Sequence, residues 1–148
     1  MITPLSLLSL LPLLPLVASG PPSDVAATII AMERAALDRS DKLDPDGFLE
    51  ISDPGVVYID PSLEQPIVGL ENLRKYYRSF GEGGEPTSGE MLNSRVQVTG
   101  DAAVLTFNYR RKDGKEPRWN ATEVYHKTER GWRIVHTHWS YIKPQPPK

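Results

Sequence analysis

The chain contains no cysteine. That absence excludes disulfide bridges, thiolate nucleophiles and thiolate zinc sites together. Neither sign of charge is in excess: Lys and Arg number 17, Asp and Glu 19, for a formal net charge of −2. No basic run forms a phosphate-tracking stripe, so nucleic acid is not an expected partner. There is no internal repeat. The one long apolar run, Leu5 to Val17, carries Pro12 and Pro15 and falls short of the roughly 20 residues a spanning helix needs. A Gly-Glu-Gly-Gly stretch at 81–84 follows a helical pattern and has no Lys-Ser/Thr behind it. It is not read as a phosphate loop.

What is present is enough for one core. At 148 residues and 39% hydrophobic, the chain can bury one interior and hardly two. Its N-terminus is a different material from the rest: Met1 to Ser23 holds no charged side chain. Val17-Ala18-Ser19 then offers the small residues a signal peptidase reads. The expected organisation is a signal peptide over 1–19, one domain over 24–142 and a disordered tail over 143–148. The mature protein is expected to be secreted and off the membrane. The alternative is a cytoplasmic chain with an apolar leader.

Ser23 or Asp24 can cap a first helix, in which Val25, Ile29, Met32, Ala36 and Leu37 recur at helical spacing. Glu33, Arg34, Asp38 and Arg39 are placed off that face. Asp44-Pro45 starts a short second helix with Phe48, Leu49 and Ile51 on its apolar side, ended by Pro54-Gly55. Val56 to Asp60 reads as a strand. A third helix follows Val68-Gly69-Leu70, with Leu73, Tyr76, Tyr77 and Phe80 on one face. The second half is all strand: 91–98, 102–111, 117–127 and 132–142. Turns fall at Thr99-Gly100-Asp101, Asp113-Gly114 and Glu129-Arg130-Gly131. Consecutive hairpins predict an α+β domain: three helices packed on a curved antiparallel sheet. A long twisted meander curls, and curling around helices leaves a cone with a mouth for a small molecule.

The second half carries Met91-Leu92-Asn93-Ser94-Arg95-Val96-Gln97-Val98, Gly100-Asp101-Ala102-Ala103 and Trp119-Asn120-Ala121-Thr122-Glu123-Val124-Tyr125. It closes on Gly131-Trp132-Arg133-Ile134-Val135-His136-Thr137-His138-Trp139-Ser140. Together with Tyr58-Ile59-Asp60-Pro61 and Val68-Gly69, these segments resemble the nuclear-transport-factor-2-like superfamily, which includes the SnoaL-like proteins. The nearest resemblance is to the association (hub) domain of calcium/calmodulin-dependent protein kinase II and its bacterial stand-alone relatives. The resemblance implies the cone fold, with self-association as a homodimer or larger ring. The kinase hub carries arginines deep in its pocket. Here the matching strand positions hold Tyr109 and Glu123, so an anion-binding arginine pocket is not implied.

Alternation on the third strand puts Ala121, Glu123 and Tyr125 on one face and Asn120, Thr122 and Val124 on the other. The same rule on the last strand groups Ile134, His136 and His138 against Val135, Thr137 and Trp139. The candidate site therefore places Glu123, Tyr109, His136 and His138 toward the cavity, with Tyr58 and Asp60 near its mouth. Glu123, His138 and Asp60 are the candidate catalytic residues. Tyr58, Tyr109, His136 and Trp119 are the candidate ligand contacts. A carboxylate beside an imidazole in an apolar cavity could move a proton α to a carbonyl. The bland alternative has these groups satisfied within the sheet or at a dimer interface. His136 and His138 have no evident third ligand, so neither metal nor cofactor is expected. The Asn120-Ala121-Thr122 sequon lies mid-strand and is expected to stay unmodified.

Three functions remain open from the sequence. One is a binder of a small apolar or carboxylate-bearing ligand. The second is a cofactor-independent isomerase, dehydratase or cyclase, as in several members of the superfamily. The third is a non-catalytic assembly hub.

Overall fold

The computed structural model describes residues 22–81, 84–115 and 117–144. The expected leader over 1–19 and the end of the tail lie outside them. Helix α1 (Pro22–Ser40) is followed by the four-residue α2 (Asp46–Leu49), strands β1 (Ser52–Ile59) and β2 (Ile67–Val68), and helix α3 (Leu70–Gly81). The rest of the domain is β3 (Gly89–Thr99), β4 (Ala102–Arg111), β5 (Trp119–Thr128) and β6 (Gly131–Tyr141).

The buried side of α1 is Val25, Ile29, Glu33, Ala36 and Leu37. Steps of three and four bring these to one stripe. Glu33 thus corrects the sequence reading that set it off the face: it stands in the middle of the apolar stripe with no exposed surface.

The six strands form one sheet in the order β2-β1-β6-β5-β4-β3. The three expected hairpins are present, and their turns use glycines at positive φ, such as Gly114 at 73° and Gly131 at 91°. Two features differ from the expected pure meander. First, β1 joins the sheet parallel to β6, on the far side from β5. Second, β1 begins at Ser52 and runs through Pro54-Gly55 rather than starting after them. Its pairing with β6 jumps from Ser52↔Ile134 to Val57↔His136. Pro54 has no N–H to give a ladder, and that irregular stretch is where a proline fits. Ile29, Leu73, Val56, Ala103, Leu105, Tyr125 and Ile134 form the dry centre between helices and sheet.

The end of α1 carries strain. Asp44 N–H donates to the Arg39 carbonyl at 3.0 Å and Leu43 N–H to that of Ser40 at 2.9 Å. This is the bond pattern of a Schellman cap, with Leu43 at the left-handed position (φ 65°) that glycine usually holds. A left-handed conformation costs a non-glycine residue roughly 1–2 kcal/mol, part of which glycine gives back in backbone entropy. Leu43 is also exposed. We expect Leu43→Gly to raise the melting temperature by about 3 °C. Calorimetry checks this; an unchanged or lower midpoint would show that the turn is not strained.

Candidate functional site

One extra residue in β6 decides what faces the hollow of the sheet. On β5, Tyr125 pairs with Ile134, but its neighbour Val124 pairs with His136. Val135 is therefore a bulge, and beyond it the alternation is reversed. Ile134 points inward, and so do Thr137 and Trp139 rather than His136 and His138. Thr137 is buried against Glu123, while His138 is exposed. The expected inward placement of the two histidines is corrected here: both lie on the outer face of the sheet. Trp139, expected outside, lines the hollow.

The hollow is a cleft of about 330 Å³. One wall comes from β1 and α3, through Tyr58 and Tyr77. The opposite wall comes from the ends of β4, β5 and β6, through Tyr109, Trp119 and Trp139. The end of α1, the following loop and α2 supply Leu37, Ser40, Asp41, Leu43, Pro45 and Phe48; Thr87, Asp60 and Arg111 complete the lining. The rings interlock: Tyr58 and Tyr77 meet at 87° with centroids 5.5 Å apart, Tyr109 and Trp139 at 87° and 6.0 Å.

Asp60, just past the end of β1, accepts from Ser62 N–H at 2.8 Å, from the Ser62 hydroxyl and from the Tyr58 hydroxyl at 3.3 Å. Asp41 accepts from the Thr87 hydroxyl at 2.8 Å, from Gly89 N–H at 2.7 Å and from the Tyr109 hydroxyl. That carboxylate ties the segment entering β3 to the end of α1 and fixes the Tyr109 ring. A Cβ at Gly89 would overlap that ring, so no larger residue fits there without moving it. Burial pushes the Tyr109 hydroxyl above its ordinary range, and the bond to Asp41 adds to it.

Beneath the tyrosine wall lie two carboxylates with no exposed surface, Glu33 and Glu123. Tyr125 donates to Glu33 Oε2 and Thr137 to Glu123 Oε2, each at 2.6 Å. Oε1 of each finds no partner among the described residues. Burial pushes the Glu33 carboxyl up to about 7, against the Tyr125 bond that favours its charge. Burial raises Glu123 well above the usual carboxylate range; the charge of Glu33 adds to this and the Thr137 bond opposes it. Burial, followed by the charges of Glu123 and Glu33, likewise raises Tyr77, whose hydroxyl is hydrogen-bonded to that of Tyr58. Tyr77 and Tyr58 thus stand between the acids and the cleft.

Of the residues singled out from sequence, Tyr58, Asp60, Tyr109 and Trp119 meet in the cleft lining. Glu123 lies behind it, among core residues, and His136 and His138 lie outside. Sequence reasoning missed Asp41, Tyr77, Arg111 and Trp139 as lining residues, and Glu33 as the partner of Glu123. Glu33 had a visible signal, four residues past Ile29 and eight past Val25. Asp41 had none.

The SnoaL-like domain family matches the chain over residues 29–144. The chain belongs to the SnoaL-like family. None of the curated proteins matches it. Among solved structures, a candidate ketosteroid isomerase from Parabacteroides distasonis is 43% identical, with a TM-score of 0.72, covering 81% of this chain and 89% of that one. The CaMKII hub of S. rosetta is 25% identical at a TM-score of 0.67, covering 85% and 100%. A candidate dehydratase of the NTF2-like family from Streptomyces avermitilis is 19% identical at 0.71, covering 84% and 100%; at that identity it shows the shared fold alone. This SnoaL-like domain therefore has the NTF2-like cone, an open curved sheet wrapped over its helices.

The buried acids make stability pH-dependent. An unfolded glutamate titrates near 4.5 and folded Glu33 near 7. Between those values the folded chain holds a proton that the unfolded chain has lost, so stability falls as pH rises. For Glu33 the fall amounts to about 3 kcal/mol. We expect Glu33→Gln to flatten the dependence, measured by urea unfolding between about pH 5 and 8. A variant with the slope of the wild type would contradict the assignment.

Proposed function

We propose that this domain binds a small, largely apolar molecule in the aromatic cleft. The observation that carries the reading is the lining itself: Phe48, Tyr58, Tyr77, Tyr109, Trp119 and Trp139 around one open hollow of about 330 Å³. That size lies within the roughly 300–1,000 Å³ of ligand sites. Mostly apolar walls with a few polar groups are the usual composition of such sites. The 43% identity to a candidate ketosteroid isomerase supports a flat organic ligand.

A second reading rests on Asp60. Its carboxylate stands at the cleft beside Tyr58 and is half-buried. From there it could take a proton from carbon α to a ligand carbonyl, with a tyrosine hydroxyl hydrogen-bonding the oxygen that gains charge. Returning the proton to a different carbon completes an isomerisation with nothing else consumed. Trp119→Ala should weaken binding about tenfold by removing stacking surface. Asp60→Asn should leave binding within about threefold and abolish any turnover of a β,γ-unsaturated ketone. Titration of a steroid and polyketide panel followed by tryptophan fluorescence, with an isomerisation assay beside it, separates the two readings. A wild type that binds no member of the panel would refute both.

We also infer that copies of the chain associate through the outer face of the sheet. Across β4, β5 and β6 its rows are Val104-Val124-His136, Thr106-Thr122-His138 and Asn108-Asn120-Ser140, and Arg95 stands beside Thr106 on the edge strand β3. None of the nine in these rows is Lys, Arg, Asp or Glu, and interface cores are poor in such residues. Asn93, Asn108 and Asn120 are joined by amide hydrogen bonds of 2.8 Å across three strands. The likeness to the CaMKII hub supports the same reading. Light scattering should report a mass above that of one chain, and Thr122→Arg should return it to the monomer. A monomeric wild type would refute the association.

A further inference from the structure

We propose that the cleft selects a cation, an organic ammonium, over neutral or anionic molecules of the same shape. This rests on the reading that the cleft is a binding site and names the class of ligand it takes. Two observations carry it.

The first is the charge of the lining. Two carboxylates, Asp41 and Asp60, line the cleft, and Arg111 is the only cation among the described lining residues. Arg111 donates through Nε at 3.2 Å and Nη2 at 2.8 Å to Asp113, which Lys115 also approaches at 3.8 Å, and the charge of Arg111 also acts on Asp41. Among the described residues, the hydrogen bonds to Asp41 and Asp60 come from hydroxyls and backbone amides. Those donors solvate a carboxylate without cancelling its charge. Behind Asp41, in a neighbouring hollow, Arg34 and Lys112 stand beside Asp38 and Glu90, two charges of each sign. The described lining therefore carries one more negative than positive charge, and a cationic ligand would supply the balance.

The second observation is the arrangement of the rings. Tyr58 with Tyr77 on one wall, and Tyr109 with Trp139 on the other, each meet at 87°. Trp119 tilts against Tyr109 at 51° with centroids 5.8 Å apart. Aromatic rings from both walls border the one space. A ring face carries the negative end of the aromatic quadrupole and attracts a methylated ammonium, whose charge is spread over apolar surface. A carboxylate-bearing ligand would meet the same faces and both aspartates with the wrong sign.

Choline, 3,3-dimethylbutan-1-ol and 3,3-dimethylbutanoate share one shape and differ in charge, and they serve as probes. Each is titrated into the full chain while the indole N–H resonances are followed. Choline should bind about tenfold or more tighter than the alcohol, and the carboxylate should bind weakest. Raising the salt should narrow the gap between choline and the alcohol. Asp60→Asn should reduce the preference for choline about threefold or more, with thermal unfolding confirming an intact fold. An alcohol that binds as tightly as choline overturns the cation proposal and leaves the apolar-cleft reading standing. So does a carboxylate that binds tightest. Absence of binding by all three also overturns the proposal, while the apolar panel decides the broader reading separately.

Discussion

Which side chains of β6 face the buried acids and the cleft depends on one constraint, the bulge at Val135. Because a strand alternates with a period of two, a single inserted residue exchanges the two faces for everything beyond it. Ile134 stays in the core before the bulge. After it, Thr137 reaches Glu123 and Trp139 reaches the cleft. Without the bulge, His136 and His138 would face the two buried acids, and the pocket would be an imidazole–carboxylate site. The bulge lies where β6 also begins its regular pairing with β1, between Ser52↔Ile134 and Val57↔His136. One local irregularity on each of two adjacent strands thus lets the parallel strand join the meander.

The acids behind the tyrosines are the costliest feature of the core. Two carboxyls with no exposed surface have four oxygens and, among the described residues, two hydroxyl donors. Two full negative charges so placed would cost far more than those bonds return, so burial favours a protonated form. A protonated carboxyl is a donor as well as an acceptor. This pair then sits closer to a polar hydrogen-bonding element than to an ion site. Tyr125 and Thr137 fix one oxygen of each acid, and Tyr77 and Tyr58 separate the pair from ligand space. The acids set the polarity underneath the cleft without touching what enters it.

Much of the architecture was legible because it rests on short-range rules. Asp113-Gly114, Gly131 and the turn at 99–101 mark the hairpins through backbone requirements that few other residues meet. The apolar steps through Val25, Ile29, Leu73 and Tyr77 mark helix faces. The parallel partnership of β1 and β6 was not legible, since it joins segments about eighty residues apart with no turn between them. Tyr58, Asp60, Tyr109 and Trp119 were legible as cleft residues because each lies where the local alternation runs regularly, Tyr58 and Asp60 after the irregular start of β1. His136 and His138 were misplaced because the bulge leaves no mark in composition: Val135 is an ordinary strand residue. Glu33 was misassigned for a different reason. Its charge argues for the outer face and its spacing for the apolar stripe, and in this core the spacing wins.

The cleft is assembled from the least regular parts of the chain. Leu43 holds a left-handed turn, Asp41 gathers three donors from the segment entering β3 and from β4, and Asp60 caps the end of a broken strand. The hairpins, by contrast, supply rigid aromatic walls from strand ends that are well paired. This division accounts for how one cone can serve both a candidate isomerase and a kinase hub among its structural relatives. The walls are carried largely by paired strands, whereas the carboxylates of the lining sit at turns and strand ends. Here the cleft carries Asp41 and Asp60, and Arg111, the one cation among the described lining residues, is paired with Asp113. On the proposed reading, the class of ligand is set by loop charges placed over an aromatic lining.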